Sequence, residues 1–296
     1  MAKRPACARP RHTLMIMVDG VGIPPHSLEE SIYANCPALT NLFRQHCVPI
    51  DACLEVPGIP QSATGQTSIL TGVNAAKAAG SHCSGFPAPR LRELLKDYNI
   101  FTGVQRLGLT ATFANAYVRL PDNPWPPRFQ SATTVATLAS LGGTRCQGEL
   151  AKGKAVYHDL TRERLQKRLN SPPRVSVSRA ADHLLSVARD VDFCLFEYFL
   201  TDIVAHRGER EDRIRALTML DACLARLTAC MDPTRELLVV TSDHGNIEDE
   251  ENRHHTCNPV PLVAWGCGAD DLLEACATLV HVTPALVNML AGPASE

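Results

Sequence analysis

Leu14-Met-Ile-Met-Val18 is apolar at every position and stops at Asp19-Gly20. A strand with one face in water alternates polar and apolar residues, so an unbroken apolar run predicts a strand buried on both faces. That burial is met in a sheet sandwiched between helices, where helical crossovers make the strands mostly parallel. The same texture returns in Asp192-Phe-Cys-Leu-Phe-Glu-Tyr-Phe199 and in Glu236-Leu-Leu-Val-Val-Thr241. Leu109 to Tyr117 and Val260 to Trp265 read as two further strands. Ser62 to Gly72, Pro89 to Lys96, Glu211 to Cys230 and Thr283 to Leu290 carry helix signals between and after them. The expected architecture is α/β: a mostly parallel sheet covered by helices on both faces.

One stretch breaks the alternation. From Arg119 to Val177 the chain is rich in proline (Pro121, Pro124, Pro126, Pro127, Pro172, Pro173) and carries scattered cations. We expect a small cap or insertion over 119–177, flanked by core segments 1–118 and 178–296. A chain of 296 residues that is 45% hydrophobic can fill such a core.

Charge and composition exclude several classes. With 29 Lys+Arg against 31 Asp+Glu the net charge is -2, which offers no basic surface to a nucleic-acid backbone. The apolar runs are strand-sized, far below the roughly 20 residues of a membrane helix. Met1 to His12 is basic and holds Pro5 and Pro10, and the apolar stretch after it is too short for a secretory leader. We therefore expect a cytoplasmic protein. Its 12 cysteines, scattered and without a C-x-x-C pair, read as reduced core fillers. Cys257 stands apart because it follows His255 by two residues.

Carboxylates and imidazoles gather where the strands end, as expected of a site at the carboxyl rim of an α/β sheet. Asp19 follows the first strand, Asp202 and His206 follow Phe199, and Asp243 and His244 follow Thr241, with His255 further on. The spacing Asp202-x-x-x-His206 puts a carboxylate and an imidazole on one face of a helical turn, a two-ligand clip for one ion. Singly each has a bland reading: Asp19 as a helix cap, Asp202 and His206 as a solvated pair, His255 as a surface imidazole. Their convergence on one rim is what the bland readings leave unaccounted for.

These segments resemble the alkaline phosphatase superfamily, and most closely its cofactor-independent phosphoglycerate mutase branch. Val18-Asp19-Gly20-Val21-Gly22 is similar to that family's first metal-ligand strand end. Ser62-Ala-Thr-Gly65-Gln66-Thr-Ser-Ile-Leu-Thr-Gly72 is similar to its nucleophile segment, in which a Ser or Thr opens a helix and a Gly lies ten residues on. Thr201-Asp202-Ile-Val-Ala-His206-Arg-Gly208 resembles the Asp-x-x-x-His pair. Thr241-Ser-Asp243-His244-Gly245-Asn246-x-Glu248 and His255-Thr-Cys-Asn258-Pro259-Val-Pro261 resemble the remaining ligand segments.

The resemblance implies an alkaline-phosphatase-like core with two divalent ions. It assigns Asp202, His206 and His255 to one ion, and Asp19, Ser62, Asp243 and His244 to the other. Donors of nitrogen and oxygen without thiolate suit Zn²⁺ or Mn²⁺ better than Mg²⁺ or Ca²⁺. Two ions roughly 4 Å apart clamp the attacking and leaving oxygens of a displacement at phosphorus, and an ion on Ser62 lowers its hydroxyl pKa. Ser62 is thus the expected nucleophile, carrying a transient phosphate, with Thr64 in reserve. A Ser-His-Asp hydrolase would want a G-x-S-x-G elbow, which Pro60-Gln61-Ser62-Ala63-Thr64 lacks.

The chain also departs from the mutase pattern. Mutases of that branch carry a large second domain between the nucleophile and the Asp-x-x-x-His pair, whereas much of that span here already reads as core. The His that follows the Gly of their nucleophile segment is Gln66 here. Candidate contacts to a small phosphorylated substrate are Gln66, Tyr117, Arg119, Arg128, Lys152, Lys154 and His158. The expectation is hydrolysis of a phosphate ester, as a phosphatase or phosphodiesterase, with phosphomutase as the alternative.

Overall fold

β1 (His12–Val18), the first of the apolar runs, lies inside a six-stranded sheet. The computed structural model describes residues 9–117, 126–167, 169 and 172–292. The other strands are β2 (Cys47–Ile50), β3 (Ala111–Phe113), β4 (Phe193–Tyr198), β5 (Glu236–Ser242) and β6 (Val260–Gly266), in spatial order β2-β6-β5-β1-β4-β3. β1 pairs in parallel with β4 and β5, and β3 joins β4 in parallel. The sheet is mostly parallel, as its sequence texture demands.

Two apolar layers cover it. On one face Leu14, Ile16, Val18, Phe196, Tyr198 and Val240 pack against the helices Pro37–Gln45, Val177–Arg189 and Arg210–Cys230. On the other, Met15, Met17, Phe193, Leu195 and Val239 meet the helices Ser62–Thr71, Ile100–Arg106, Ala132–Leu141 and Val282–Ala291. Each parallel strand thus sends alternate side chains into both layers, which is why Leu14 to Val18 of β1 is apolar throughout.

Local signals set the helix ends. Asn99 accepts from the amides of Phe101 and Thr102, and Ser176 from that of Arg179, each satisfying amides that no turn of helix can reach. Gly72 closes the helix Ser62–Thr71 in the left-handed conformation at φ 75.

Three details go beyond the sequence reading. The strand foreseen over Leu109 to Tyr117 is regular only at Ala111–Phe113, continued by isolated bridges at Asn115 and Ala116 to Val156 and Arg145. β6 runs antiparallel to β5, and β2 antiparallel to β6. Within 119–177, the helix Ala132–Leu141 is no cover: Ala132, Val135 and Ala136 belong to the second core layer. Leu150, Ala155, Tyr157 and Leu165 form a small cluster with Ala116, while Val156 and Leu160 join the first core layer.

Candidate metal centre

The carboxyl ends of β1, β4 and β5 adjoin, so the residues that follow them are forced together. Asp19 is held against the start of the next segment: the Thr201 hydroxyl donates to its carbonyl at 2.6 Å and its amide donates to Tyr198 at 3.0 Å. Gly20 turns there with φ +71, and a Cβ at that position would stand 2.9 Å from the Asp202 carboxylate. That close approach requires glycine. After β4, the helix Leu200–Arg207 carries Asp202 and His206 one turn apart, Oδ1 to Nε2 at 3.3 Å.

The loop after β5 is anchored by one buried carboxylate. Glu248 accepts from the amides of Gly22 and Asn246, both at 2.8 Å, and from the side chains of Asn258 and Thr256. It therefore ties the turn after β1 to the loop that presents Asp243, His244 and His255. The helix Ser62–Thr71 meets this floor with Ser62 as its first residue. Gly65 lies on the Asp243 carbonyl so closely that an added Cβ would overlap it.

Two groups of ligand atoms result. Asp202, His244 and His255 form one, and Asp19, Asp243 and His244 the other, the atoms of each lying within 4.8 Å of one another. His206 joins the first, its Nε2 2.9 Å from that of His255. Ser62 joins the second, Oγ 3.0 Å from His244 Nε2. All seven expected ligands are brought together, and His244 faces both groups rather than one.

The hydrogen bonding of the rings shows which atoms they turn toward the centre. Nδ1 of His206 lies 2.7 Å from the Arg253 carbonyl, Nδ1 of His255 2.9 Å from that of Pro60, and Nδ1 of His244 3.2 Å from that of Gly245. A carbonyl only accepts, so each Nδ1 donates outward and each ring turns its Nε2 inward. Those nitrogens lie among carboxylate oxygens, and Asp19 Oδ1, Asp243 Oδ2 and Asn246 Oδ1 are buried with no hydrogen bond among the described residues. Acceptors facing acceptors in a buried site fit divalent cations.

The titration directions express the same conflict. Burial, then repulsion from Asp243, pushes the Asp19 carboxyl well above its usual range. Asp243 is raised by burial too, with Asp202 adding to it. Burial disfavours a charged His244, but Asp243 and Asp19 outweigh it and raise the imidazole to about 10. Burial would raise Asp202 as well, yet the imidazoles of His255 and His244 hold it at about 2.

The other candidates fall elsewhere. The Thr64 hydroxyl donates to the Gln61 carbonyl at 3.1 Å and accepts from the Cys83 amide at 3.3 Å, so both its bonds are made away from the cluster. Gln66 donates to Asp19 Oδ2 at 3.3 Å and orients that ligand. Tyr117 accepts from the Thr134 hydroxyl at 3.1 Å. His158 stacks on Phe199, centroids 4.0 Å apart, just ahead of the helix bearing Asp202. Arg128 lies over the Phe129 ring, and Lys152 and Lys154 stand exposed after the helix Gln147–Ala151. Arg119 lies outside the described residues.

Sequence reasoning passed over Glu197. It ends the run of β4 on the same face as Phe193 and Leu195, 3% exposed, and accepts from Thr133 at 2.8 Å. Burial above all, with Asp243 adding to it, raises its carboxyl to about 7. Only its position in Phe-Glu-Tyr, a carboxylate inside an apolar run, could have signalled it.

Comparison with known proteins agrees with this geometry. The model of the Metalloenzyme superfamily matches residues 11–291. A 2,3-bisphosphoglycerate-independent phosphoglycerate mutase of a Synechococcus strain is 33% identical over 137 residues, which is 41% of this chain and 26% of that protein. The chain thus aligns with about a quarter of the length of that relative. Among solved structures, alkaline phosphatase from the Antarctic bacterium TAB5 superposes with TM-score 0.56 at 11% identity, covering 97% of this chain and 99% of that one. A Leishmania mexicana phosphoglycerate mutase gives TM-score 0.52 at 14% identity, covering 99% and 98%. Such low identities speak to the fold alone. With the family model spanning nearly the whole chain and the ligand groups assembled at its sheet rim, this protein belongs to the alkaline-phosphatase-like Metalloenzyme superfamily.

Proposed function

We propose that this protein hydrolyses a phosphate ester in two steps, passing the phosphoryl group first to Ser62 and then to water. The observation that carries this reading is the place of the Ser62 hydroxyl, first in its helix and 3.0 Å from the imidazole that faces both ligand groups. Asp202, His206 and His255 would hold one divalent ion, and Asp19, Asp243, His244 and Ser62 a second, with Zn²⁺ or Mn²⁺ fitting the donors. Bound there, the ions supply positive charge to the phosphoryl and leaving oxygens and favour the ionised form of Ser62.

The chain does the rest. The first intrahelical bond at this end runs from Gly65 to Gln61, which leaves the amides of Ser62, Ala63 and Thr64 outside the helical ladder. A helix N-terminus of this kind favours phosphoryl oxygens. Gln66 keeps the Asp19 carboxylate aimed, and Glu248 keeps the two ligand loops at fixed spacing.

Water as the acceptor follows from how little cover the chain carries. A mutase must retain its dephosphorylated intermediate and exclude water while it reorients, which takes an enclosing domain. Between Ser62 and Asp202, the helix Ala132–Leu141 is spent on the core. Phosphomutase is the second reading, favoured by the mutase relative that is 33% identical over 137 residues.

One experiment separates the readings. The protein, loaded with Zn²⁺ or Mn²⁺, is incubated with 3-phosphoglycerate and with a panel of phosphate monoesters and diesters. Phosphate release that disappears in Ser62→Ala is the expected result. Isomerisation to 2-phosphoglycerate without free phosphate would establish the mutase instead, and activity in excess chelator would remove the metal from either.

A further inference from the structure

Cys53 and Cys257 are far apart in sequence and adjacent in space. The Cys53 thiol donates to the Cys257 carbonyl at 3.9 Å, which sets the two cysteines side by side. Neither position sits in the core: Cys53 is half-buried and Cys257 exposed, unlike Cys36, Cys194, Cys223, Cys267 and Cys276. Core filling does not explain this pair.

Both thiols are held in place by their backbones. Asp51 accepts from the amides of Cys53 at 3.0 Å and Leu54 at 2.7 Å, and Asn74 donates to the Leu54 carbonyl at 2.9 Å. Leu54 and Glu55 then follow in the left-handed region, φ 56 and 57. Side chains avoid that conformation unless their surroundings impose it, so the turn after Cys53 is fixed under strain. On the other side, the Thr256 amide donates to Gly245 at 2.9 Å and Asn258 to Glu248 at 3.1 Å, bracketing Cys257. Two thiols that fixed loops keep in contact can bond with little movement of the chain.

The two loops carry the site. The Cys53 loop continues to Pro60, whose carbonyl faces His255 Nδ1, and then to Ser62. Cys257 follows His255 by two residues. We propose that Cys53 and Cys257 are a peroxide-reactive pair whose disulfide fastens the nucleophile segment to the metal-ligand loop. Cys257, the exposed partner, attacks a peroxide oxygen; the O–O bond breaks, giving a sulfenic acid and one water. Cys53 sulfur then attacks the Cys257 sulfur, the S–O bond breaks, and the departing hydroxide takes the Cys53 proton as a second water. Two thiols are oxidised and one peroxide is reduced, so the step balances. Burial and the neighbouring Cys257 push the Cys53 thiol up to about 12, which suits it to second place.

The consequence for the site rests on the metal reading above: the disulfide should slow loss of the ion held by His255. Zn²⁺-loaded protein is treated with hydrogen peroxide, alkylated and mapped by peptide mass, with exposed Cys146 as internal control. The expected product is a single Cys53–Cys257 link, reversed by dithiothreitol and absent in Cys257→Ser. Zn²⁺ release to a chelator should then be roughly tenfold slower in the linked protein than in the reduced one, and unslowed in peroxide-treated Cys257→Ser. Cys257 driven to a sulfinic acid, or paired elsewhere while Cys53 stays alkylatable, would overturn the pair. A linked protein that releases Zn²⁺ at the reduced rate would overturn its effect on the site. A protein that takes up no Zn²⁺ counts against the metal reading, and the peptide map still decides the bond.

Discussion

At Ser62, the first residue of its helix, the hydroxyl is turned toward His244 at 3.0 Å, while the Thr64 hydroxyl is spent on the Gln61 carbonyl. This division gives opposite outcomes for two neighbouring substitutions. Ser62→Ala should lower turnover by on the order of 10³- to 10⁶-fold, the scale of losing a covalent nucleophile, while metal content by elemental analysis stays near that of the parent. Thr64→Ala should leave turnover within a small factor and cost about 1 kcal/mol of stability in urea unfolding. The reverse pattern would make Thr64 the nucleophile.

Among the elements, β1, β4 and β5 were legible because burial on both faces leaves them runs of consecutive apolar residues. Cys47-Val-Pro-Ile50 was not. It is four residues long and contains Pro49, which cannot donate to a ladder and is tolerated at the sheet edge where β2 lies. Nor does sequence texture give direction, so the antiparallel course of β6 appears only in three dimensions. The convergence of Asp19, Asp202, His206, Asp243, His244 and His255 was readable because they follow three strands whose pattern puts them in one sheet. Glu197 was not, since a strand buried on both faces has no alternation to show which side chains point toward the site. Gln66 was read as a substrate contact, yet its amide is spent on Asp19. The meeting of helix and floor at Gly65 belongs to the same scale. Gly65→Ala must push the nucleophile helix off Asp243, and the overpacking should cost about 1–3 kcal/mol. Its turnover should fall far more than its stability suggests, because Ser62 rides on that helix; a variant with full kcat and only a lower Tm would show that the contact is structural alone.

For the molecule as a whole, the buried Glu197 sets a pH dependence. Its carboxyl is raised from 4.5 to about 7, foremost by burial. Between those values the folded chain keeps a proton that the unfolded chain has lost, so this group's contribution to stability falls as pH rises through that window. Glu197→Gln removes the titration and keeps a neutral side chain of similar shape. In excess chelator, the variant and its parent should unfold at similar urea concentrations at pH 4.5, and the variant should lead by on the order of 2–3 kcal/mol at pH 8. A gap that is the same at both values would mean that Glu197 is ionised in the folded protein.

The hydrogen bond from the Gly20 amide to the Asp243 carboxylate joins residues 223 positions apart, and that from Thr201 to Asp19 joins residues 182 apart. No short stretch of this chain can therefore hold an ion in the way the finished centre does. Closing such distances is entropically costly and comes late in folding. An ion that recognises only the closed arrangement cannot guide the chain toward it; it can act only once the central strands have paired. Added Zn²⁺ should accordingly leave the refolding rate unchanged and slow unfolding, a split that stopped-flow kinetics with and without the ion would reveal. Faster refolding with the ion would mean that part of the centre assembles before the sheet does.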